Sequence, residues 1–288
     1  MALFTVFGGS GFIGRHISSA LKATGQPVST PERDVPVETL GRLGHVLFCA
    51  GLTADFRTRP YDTMEAHVGL ISRILSTGDF DSLVYLSSTR IYDGATHGSE
   101  EMTFTVDPWS PNDLYNISKI AGEALCLNHQ NPRVRVARLS NVYGAGMFGS
   151  DGGGANFLSS VIDSAIADGH VELQSAPGSA KDYIHISDVV RALTLIAIEG
   201  TDRVYNVASG RNVSHEQLLD RLAETSGCTW STAPDAPHVG FPEIMTARIA
   251  SAFSGAALSW EPSRLLDRLP DLVFAANRGA HLTEGAFG

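Results

Sequence analysis

The sequence predicts an α/β protein built on a Rossmann-type, doubly wound parallel sheet, and two features of its first half carry this prediction. Nearly continuous apolar runs alternate with amphipathic segments, beginning with LFTVFG at 3–8 and FIGRHISSALKATG at 12–25. Runs of this kind are typical of parallel strands that helices cover on both faces. A glycine-rich turn, GGSGFIG at 8–14, joins the first strand to the first helix.

The other elements of the first half continue the alternation. HVLFCAG at 45–51 predicts a buried strand, and residues 61–78 predict a helix. SLVYLSS at 82–88 predicts the next strand, and a helix follows over about 114–130. The run VRVARLSNVYG at 134–144 predicts one further strand.

The second half is less regular. Its predicted elements are a helix at 155–169, a strand at 171–175, a helix at 187–200, a strand at 203–209, a helix at 214–227 and a short helix within 262–274. Ser214 followed by Gln217 forms a capping box at the start of one of these helices. The last stretch is rich in Pro, Ala and Ser and predicts a loop-rich lobe.

These patterns predict two parts of unequal size. The larger domain comprises residues 1–145 with returning segments at about 181–210, and the smaller substrate-binding lobe comprises about 146–180 and 211–288. The segment SDGGGAN at 150–156 is either a ligand-covering loop or a plain connector.

Composition excludes several classes of protein. A net charge of -10, with acidic and basic residues scattered along the chain, argues against a surface for nucleic acid or anionic membranes. Cys49, Cys126 and Cys228 lie far apart, which favours reduced thiols over disulfides or a zinc site. The ten histidines show no metal-ligand spacing, and no apolar run approaches the length of a membrane span. We therefore expect a cytoplasmic protein without a metal site.

The glycine-rich turn predicts a dinucleotide site. Gly8, Gly11 and Gly14 lie between a strand and a helix, where glycines permit a tight turn and let a diphosphate approach main-chain N–H groups. The segment PERD then offers Glu32 for the adenosine ribose hydroxyls and Arg33 for a 2′-phosphate. An ordinary charged turn explains these two side chains equally well, so the predicted cofactor is NAD(P).

A second motif places a phenol and an ammonium group on one helix face. Tyr115 and Lys119 stand four residues apart in LYNISKIAGEAL, as either a solvated polar pair or a proton-transfer pair. In the second case the lysine charge lowers the pKa of the tyrosine. Ser87 and Ser88 lie at the carboxyl end of a predicted strand, where parallel sheets build their sites. The three motifs in this order favour proton transfer.

With these motifs the sequence resembles the extended short-chain dehydrogenase/reductase superfamily, in particular the NAD-dependent epimerase/dehydratase family that acts on nucleotide sugars. Further similar segments are RLSNVYGAG at 138–146, KDYIHISDVV at 181–190, YNVASG at 205–210 and LSWEPS at 258–263. In this family the catalytic hydroxyl lies four residues before the tyrosine that matches Tyr92, which selects Ser88.

The resemblance implies roles for individual residues. Ser88, Tyr115 and Lys119 would be catalytic, with Tyr115 as acid and base and Lys119 orienting the nicotinamide ribose. The implied cofactor contacts are Gly8, Gly11, Phe12, Ile13, Gly14, Glu32, Arg33, Ala50, Gly51, Ser87, Tyr115 and Lys119. The implied substrate contacts are Ser88, Thr89, Asn141, Lys181 and Arg248. Lys181 replaces a family arginine and retains the charge without the bidentate geometry.

Two departures from the family pattern narrow the expected activity. The 4,6-dehydratases follow the catalytic hydroxyl with Asp-Glu, whereas this chain has Thr89 and Arg90, so we do not expect a dehydratase. The epimerase-reductases that form GDP-fucose use a Cys and a His beyond the tyrosine, but Cys126 and His129 lie on the tyrosine's own predicted helix.

The expected function is therefore NAD(P)-dependent hydride transfer on a nucleotide-activated sugar, as a 4-keto-sugar reductase. A nucleotide-sugar 4-epimerase with retained NAD is the first alternative, because it uses the same residues twice. A non-catalytic NAD(P)-binding sensor is the second, and the presence of all three catalytic residues argues against it. The predicted helices at 61–78 and 114–130 form a dimer interface in many relatives, so the resemblance also implies a homodimer.

Overall fold

The structure is a computed structural model of the 288-residue chain, and it describes residues 1–53, 55–148 and 156–277. The glycine-rich segment 150–156 lies outside the described residues except for Asn156. Within the described ranges, no helix combines the length and the apolar character that crossing a membrane requires.

The described strands form three sheets. Their bounds are β1 Phe4–Phe7, β2 Val28–Ser29, β3 Arg42–Phe48, β4 Asp79–Ser88, β5 Val134–Leu139, β6 Asn141–Tyr143, β7 His170–Leu173, β8 Ala180–His185, β9 Val204–Val207, β10 Asn212–Ser214 and β11 Thr229–Thr232. The largest sheet has six parallel strands in the order β2-β1-β3-β4-β5-β9. Because the order reverses direction after β1, the sheet is doubly wound, as predicted.

The helices lie on both sides of this sheet and in the second half of the chain. Their bounds are α1 Phe12–Ala23, α2 Pro60–Met64, α3 Leu70–Thr77, α4 Asp113–Leu127, α5 Phe157–Ala167, α6 Ile186–Glu199, α7 His215–Ser226, α8 Ala247–Gly255 and α9 Leu265–Asn277. A π-helical turn, Glu65–Gly69, joins α2 to α3. The predicted helix at 61–78 is therefore present with one irregular turn.

Alternate side chains of the central strands pack on opposite faces of the sheet. On one face, Val84 and Leu86 of β4 join a core with α1 and α6. On the other face, Leu83 and Tyr85 join a core with Ile71 of α3 and with α4. Burial on both faces explains why β4 reads as a continuous apolar run in the sequence.

The second half forms a separate apolar core around two small sheets. Strands β6, β8 and β10 form one sheet, and β7 and β11 form the other. Apolar side chains of α5, α7 and α9 pack together beside them. The capping box predicted at Ser214 and Gln217 is confirmed at the start of α7.

The fold contains features that the sequence did not predict, among them strands β8, β10 and β11. Residues 134–144 form two strands, because the chain leaves the large sheet after Leu139 and joins β8 from Asn141 onward. The two-residue strand β2 is too short to give a pattern. Helix α8 lies in the stretch predicted as loop, where Ile249 and Phe253 pack against the core beside α6.

Candidate active site

A continuous groove crosses the carboxyl ends of the large sheet and has two parts. The glycine half is lined by Gly8, Gly9, Ser10, Thr30, Glu32, Arg33, Asp34 and neighbouring residues. The tyrosine half is lined by Ser87, Ser88, Tyr115, Lys119, Asn141, Phe157, Lys181 and neighbouring residues. Both halves share Gly11, Cys49, Ala50, Gly51 and Leu52. The groove therefore brings together most of the site residues predicted from the sequence.

Main-chain atoms build the floor of the glycine half. Gly8 has a φ of +78°, and the N–H of Gly11 donates to its carbonyl oxygen at 3.0 Å. A Cβ at Gly14 would lie 2.2 Å from the same oxygen, so only glycine lets α1 approach the turn. The helix begins after Gly11, which has no side chain to cap it. First-turn N–H groups are thus open to an anion, and the cradle fits a dinucleotide diphosphate.

The outer wall of the glycine half carries opposite charges side by side. Glu32, Arg33 and Asp34 all line this half, and all three are exposed. Within the described residues Arg33 makes no ion pair. This wall can therefore offer a carboxylate to ribose hydroxyls or a guanidinium to a 2′-phosphate.

Ser88 and Tyr115 meet in the tyrosine half. Ser88 ends β4, and its Oγ accepts a hydrogen bond from the N–H of Arg90 at 3.2 Å, which begins a short 3-10 turn. Tyr115 lies in the first turn of α4 and is only 5% exposed. Its hydroxyl interacts with the hydroxyls of Ser88 and Thr53. A strand end and a helix start thus bring two proton-carrying groups to one point.

The electrostatics of Tyr115 differ from the sequence expectation. Burial raises the pKa of Tyr115, and hydrogen bonding to Ser88, the charge of Arg90 and hydrogen bonding to Thr53 offset this only in part. The expectation that Lys119 lowers the pKa of this tyrosine is wrong for this geometry. The Nζ of Lys119 lies 5.9 Å from the ring centroid of Tyr115 and donates to the carbonyl oxygen of Leu86 at 2.9 Å.

Lys119 is a buried ammonium group held by the strand beside it. Burial lowers its pKa to about 8, although the Glu123 carboxylate raises it. A lysine with a pKa near neutrality exchanges its proton readily, which suits a group next to a proton donor.

A chain of hydrogen bonds connects His67 to the main chain of Tyr115. The N–H of Leu52 donates to His67 Nε2 at 3.2 Å, so the proton is assigned to Nδ1, which donates to Ser118 Oγ at 2.8 Å. Ser118 Oγ donates in turn to the carbonyl oxygen of Tyr115 at 2.7 Å. Burial lowers the pKa of His67 to about 2, and its ring meets that of Tyr115 edge-on at 5.5 Å. The chain couples the shared part of the groove to the tyrosine helix.

A buried ion pair fixes the same helix to the sheet. The guanidinium of Arg138 on β5 donates to the Glu123 carboxylate on α4 at 2.6 Å, with both side chains at most 4% exposed. Arg138 also donates to the hydroxyl of Tyr92 at 2.7 Å and to the carbonyl oxygen of Glu100 at 3.2 Å. One arginine therefore ties three chain segments together beneath the groove.

The predicted substrate contacts fall in different places. Asn141 and Lys181 line the tyrosine half, and Asn141 Nδ2 donates to the carbonyl oxygen of Asp182 at 2.8 Å. Thr89 is buried beside Ser88 and is not among the described groove-lining residues. Arg248, on α8, is also not among the groove-lining residues. Its guanidinium pairs with the Glu101 carboxylate at 2.6 Å. The structure thus groups Ser88, Asn141 and Lys181 and leaves Thr89 and Arg248 apart.

Several groove residues were not identified from the sequence. They include Cys49, Leu52, Thr53, Asp55, Ser140, Val142, Asn156, Phe157, Leu158 and Tyr183. Thr53 had a usable signal, because it follows the carboxyl end of a predicted strand just as Ser88 does. Phe157 and Tyr183 had none, since they reach the groove through the packing of the second half. No cluster of three or more candidate metal ligands occurs in the part of the chain that the structure describes.

Comparison with known families and curated relatives gives one consistent result. The model of the NAD dependent epimerase/dehydratase family matches residues 4–208. The dTDP-glucose 4,6-dehydratase of Streptomyces griseus is 32% identical over 52% of this chain and 45% of its own length. The dTDP-6-deoxy-L-talose 4-dehydrogenase of Kitasatospora kifunensis is 29% identical over 92% of both chains. The GDP-6-deoxy-D-mannose reductase of Pseudomonas aeruginosa is 26% identical over 89% of this chain and 91% of its own.

Solved structures share the fold over nearly all of the chain. MoeE5 in complex with UDP-glucuronic acid and NAD has a TM-score of 0.77 at 24% identity, covering 96% of this chain and 100% of that chain. RMD from Pseudomonas aeruginosa complexed with NADPH has a TM-score of 0.74 at 22% identity, covering 97% and 100%. At these identities the similarity establishes the fold only. The substrate has to be inferred from the residues of the site.

Proposed function

This chain belongs to the NAD-dependent epimerase/dehydratase family, and we propose that it is an NAD(P)-dependent 4-keto reductase of a nucleotide-activated sugar. One observation carries the proposal: Ser88, Tyr115 and Lys119 meet in a groove that continues into a glycine cradle. Thr89 and Arg90 stand where dehydratases of the family carry Asp-Glu. The similar proteins from Kitasatospora and Pseudomonas named above are a 4-dehydrogenase and a reductase.

The proposed chemistry divides hydride and proton between cofactor and protein. Bound NAD(P)H supplies the hydride to the carbonyl carbon of the sugar. The Ser88 hydroxyl donates a hydrogen bond to the carbonyl oxygen and polarises it. The Tyr115 hydroxyl gives its proton to the same oxygen as the hydroxyl product forms, and the raised pKa of Tyr115 keeps that proton in place beforehand. Lys119 would hold the nicotinamide ribose beside Tyr115.

The glycine half would hold the cofactor. Main-chain N–H groups in the first turn of α1 would bind the diphosphate, and Gly11, whose own N–H donates to Gly8, would let the diphosphate approach closely. Ala50, Gly51 and Ser87 follow the ends of neighbouring strands and would contact the cofactor between its two ends. The exposed pair Glu32 and Arg33 would decide between NADH and NADPH.

The tyrosine half would hold the nucleotide sugar. Asn141 is exposed and lines the groove, and Lys181 on the neighbouring strand β8 also lines it, with its Nζ 5.6 Å from the ring centroid of Phe157. We assign the diphosphate to Lys181 as a point charge. Burial lowers the pKa of Lys181, and a bound phosphate would restore its preference for the charged form.

A nucleotide-sugar 4-epimerase is the alternative function. It would use Ser88 and Tyr115 first to oxidise and then to reduce the same carbon, with NAD retained between the two steps. Epimerases with UDP-glucuronic acid and NAD bound occur among the similar folds. A cofactor-binding sensor is disfavoured because an intact set of catalytic side chains converges in the groove.

We also propose the arrangement of the chain and its assembly. Residues 1–145 with about 181–210 would form the cofactor domain, and the remainder the substrate-binding lobe. The protein would act as a cytoplasmic homodimer, since Tyr61 is 88% exposed and Leu125 is 37% exposed on the helices that carry the interface in many relatives. Sedimentation equilibrium of the wild type and a Tyr61→Glu, Leu125→Glu variant tests the dimer.

Absorbance and fluorescence of the nicotinamide test the function. The purified protein is measured before and after addition of NADH or NADPH and a panel of nucleotide-linked 4-keto sugars, and again with the corresponding 4-hydroxy nucleotide sugars, which an epimerase would convert. A reductase consumes one reduced cofactor per molecule of sugar reduced. Tightly co-purifying cofactor with an unchanged redox state after turnover identifies the epimerase. Cofactor binding without any turnover of a nucleotide sugar contradicts both.

A further inference from the structure

Arg90 brings an uncompensated positive charge to the catalytic tyrosine. Its guanidinium carbon lies 5.4 Å from the ring centroid of Tyr115 and 5.0 Å from that of Phe56. The main chain of Arg90 is fixed by the hydrogen bond to Ser88. Within the described residues its side chain forms no ion pair, and the residue is half-buried. A cation in this setting lacks the partner that usually accompanies it.

Lys181 is a second cation without an ion pair among the described residues. It lines the tyrosine half, whereas Arg90 lies beside that half against the ring of Tyr115 and is not among the described groove-lining residues. The ammonium group of Lys181 faces the ring of Phe157. The charge of Arg90 helps to lower the pKa of Lys181, so the two cations are within electrostatic reach of each other. The repulsion between these two like charges is a cost that a bound anion would offset.

The acidic side chains nearby leave this charge available. Asp93 raises the pKa of Lys181 but is exposed, and it forms no ion pair with either cation. Asp55 lines the tyrosine half and is also exposed. Exposed carboxylates are well solvated and screened, so they compensate a half-buried guanidinium poorly.

We propose that Arg90 is a specificity-determining residue that binds a carboxylate carried by the sugar of the substrate. This inference rests on the proposed function, in which Lys181 meets the diphosphate. Arg90 flanks the ring of Tyr115, whose hydroxyl acts on the reacting carbon, so an anion in front of Arg90 belongs to the same sugar. The planar guanidinium matches a carboxylate with two parallel hydrogen bonds. The substrate class is thus a nucleotide-activated sugar acid.

Matched ligand pairs test the proposal by calorimetry on the full chain. The pairs are UDP-glucuronate with UDP-glucose, dTDP-glucuronate with dTDP-glucose, and GDP-mannuronate with GDP-mannose, with UDP, dTDP and GDP as ligands without a sugar. For the preferred nucleotide, the wild type should bind the carboxylated member at least about tenfold more tightly, as a charge-assisted hydrogen bond predicts.

Variants of three cationic residues test which side chain causes the preference for the carboxylated sugar. Arg90→Met should abolish the preference for the carboxylated sugar and leave the dissociation constants of the free nucleotides unchanged. Arg90→Lys should retain part of the preference. Lys181→Met should weaken every diphosphate ligand alike. Arg57→Met is the matched control, because Arg57 also stacks on Phe56, at 4.8 Å, but donates to Asn112 instead of facing Tyr115.

Two results would overturn the inference and leave the proposed function standing. One is binding of nucleotide sugars by the wild type without preference for the carboxylated member, a measurement that needs no variant. The other is equal weakening of the free nucleotides and both sugars by Arg90→Met, which assigns Arg90 to the diphosphate. If NAD(P)H binds but no nucleotide or nucleotide sugar does, the proposed function fails as well. Thermal unfolding of each variant confirms that it is folded.

Discussion

The two halves of the groove are built in different ways. The floor of the glycine half is main chain of one short segment, residues 8–11, between β1 and α1, and its walls come from residues within 30–38, 49–52 and 62–73. The tyrosine half is made by side chains that come from β4, α4, β6 and β8, over a span from Ser88 to Lys181. A site made of main chain depends on the absence of side chains, whereas a site made of side chains depends on the packing that holds each one.

This difference separates binding from chemistry. Changes in the glycine half should alter cofactor affinity, and changes in the tyrosine half should alter turnover with the cofactor still bound. Variants that violate this rule would show that the two halves act as one unit through the residues they share, among them Gly11, Cys49 and Gly51.

The largest expected effect is on turnover in the tyrosine half. Tyr115→Phe removes the proton donor and should lower kcat about 10²- to 10⁴-fold. The dissociation constant of NADH or NADPH should stay within about twofold, because the ring and its contacts remain. Steady-state kinetics and nicotinamide fluorescence measure the two quantities. Unchanged kcat would rule out Tyr115 as the acid, and a large loss of cofactor affinity would show that the halves are not separable.

The buried ion pair beneath the tyrosine half gives the next effect. Arg138→Met leaves the Glu123 carboxylate buried without its partner and should lower the free energy of unfolding by about 3–5 kcal/mol. The double variant with Glu123→Gln should recover part of this loss, because no uncompensated charge remains. Urea unfolding measures all three proteins. A single variant no less stable than the wild type would contradict the assigned role.

The glycine half is tested by adding a single methyl group. Gly14→Ala places a Cβ 2.2 Å from the Gly8 carbonyl oxygen, and overpacking of this kind costs about 1–3 kcal/mol. We expect weaker cofactor binding together with lower stability. For stability, Gly11→Ala is the matched control, since its Cβ would lie 3.3 Å from the same oxygen; cofactor affinity is compared only between Gly14→Ala and the wild type, because Gly11 itself lines the cradle. Equal losses of stability at both positions would contradict the special role of the contact between α1 and the turn.

His67 connects the shared part of the groove to α4, and the pH dependence of stability tests whether it is neutral in the folded protein. Its folded-state pKa is about 2, far below its ordinary value of 6.5, so between these values the unfolded state binds more protons. The contribution of His67 to the free energy of unfolding is fully present above pH 6.5 and is lost as the pH falls. Between pH 7 and pH 5 this loss is about 2 kcal/mol.

The measurement is the free energy of unfolding at several pH values for the wild type and His67→Gln. Burial also lowers the pKa values of His45, His185 and His215, so these residues add to the loss in both proteins. The difference between the two curves therefore isolates His67. His97→Gln, at an exposed histidine, is the control substitution. Parallel curves for the wild type and His67→Gln would show that His67 is not held neutral.

The smallest expected effect is at the outer wall of the glycine half. Arg33 is exposed, so Arg33→Gln should weaken the binding of NADPH by only about fivefold and leave the affinity for NADH unchanged. Glu32→Gln should act in the opposite sense and weaken NADH relative to NADPH. Fluorescence titrations with both cofactors give the ratio. Equal shifts for the two cofactors in both variants would place the adenosine phosphate elsewhere.

The contrast also explains what the sequence could predict. The glycine turn and the strand ends are local in the chain, so Gly8, Gly14 and Tyr115 could be named as candidates from spacing, whereas choosing Ser88 over Ser87 required the family resemblance. The doubly wound sheet was predicted correctly. The break between β5 and β6 was not predicted, because residues 134–144 contain no proline and no glycine before their last position, and the change of sheet depends on β8.

Partners that are distant in the chain set the remaining features of the site. His67 gave no recognisable pattern, because its partner Ser118 lies 51 residues away. The pKa of Tyr115 was expected to be lowered by Lys119, four residues along the helix. Burial decides its direction instead, and the offsetting charge comes from Arg90. Sequence spacing identifies which residues share a helix face, whereas the burial of that face follows only from the packing of the complete chain.

The π-helical turn that carries His67 has an evolutionary consequence. A π turn holds one residue more than the α-helix it interrupts, so losing one residue between Glu65 and Gly69 would leave a regular helix with both flanks in register. The same loss within α4 would rotate Lys119 by about 100° relative to Tyr115. We therefore expect insertions and deletions of single residues among natural relatives to be tolerated at this turn, together with loss of the histidine, and to be absent from α4.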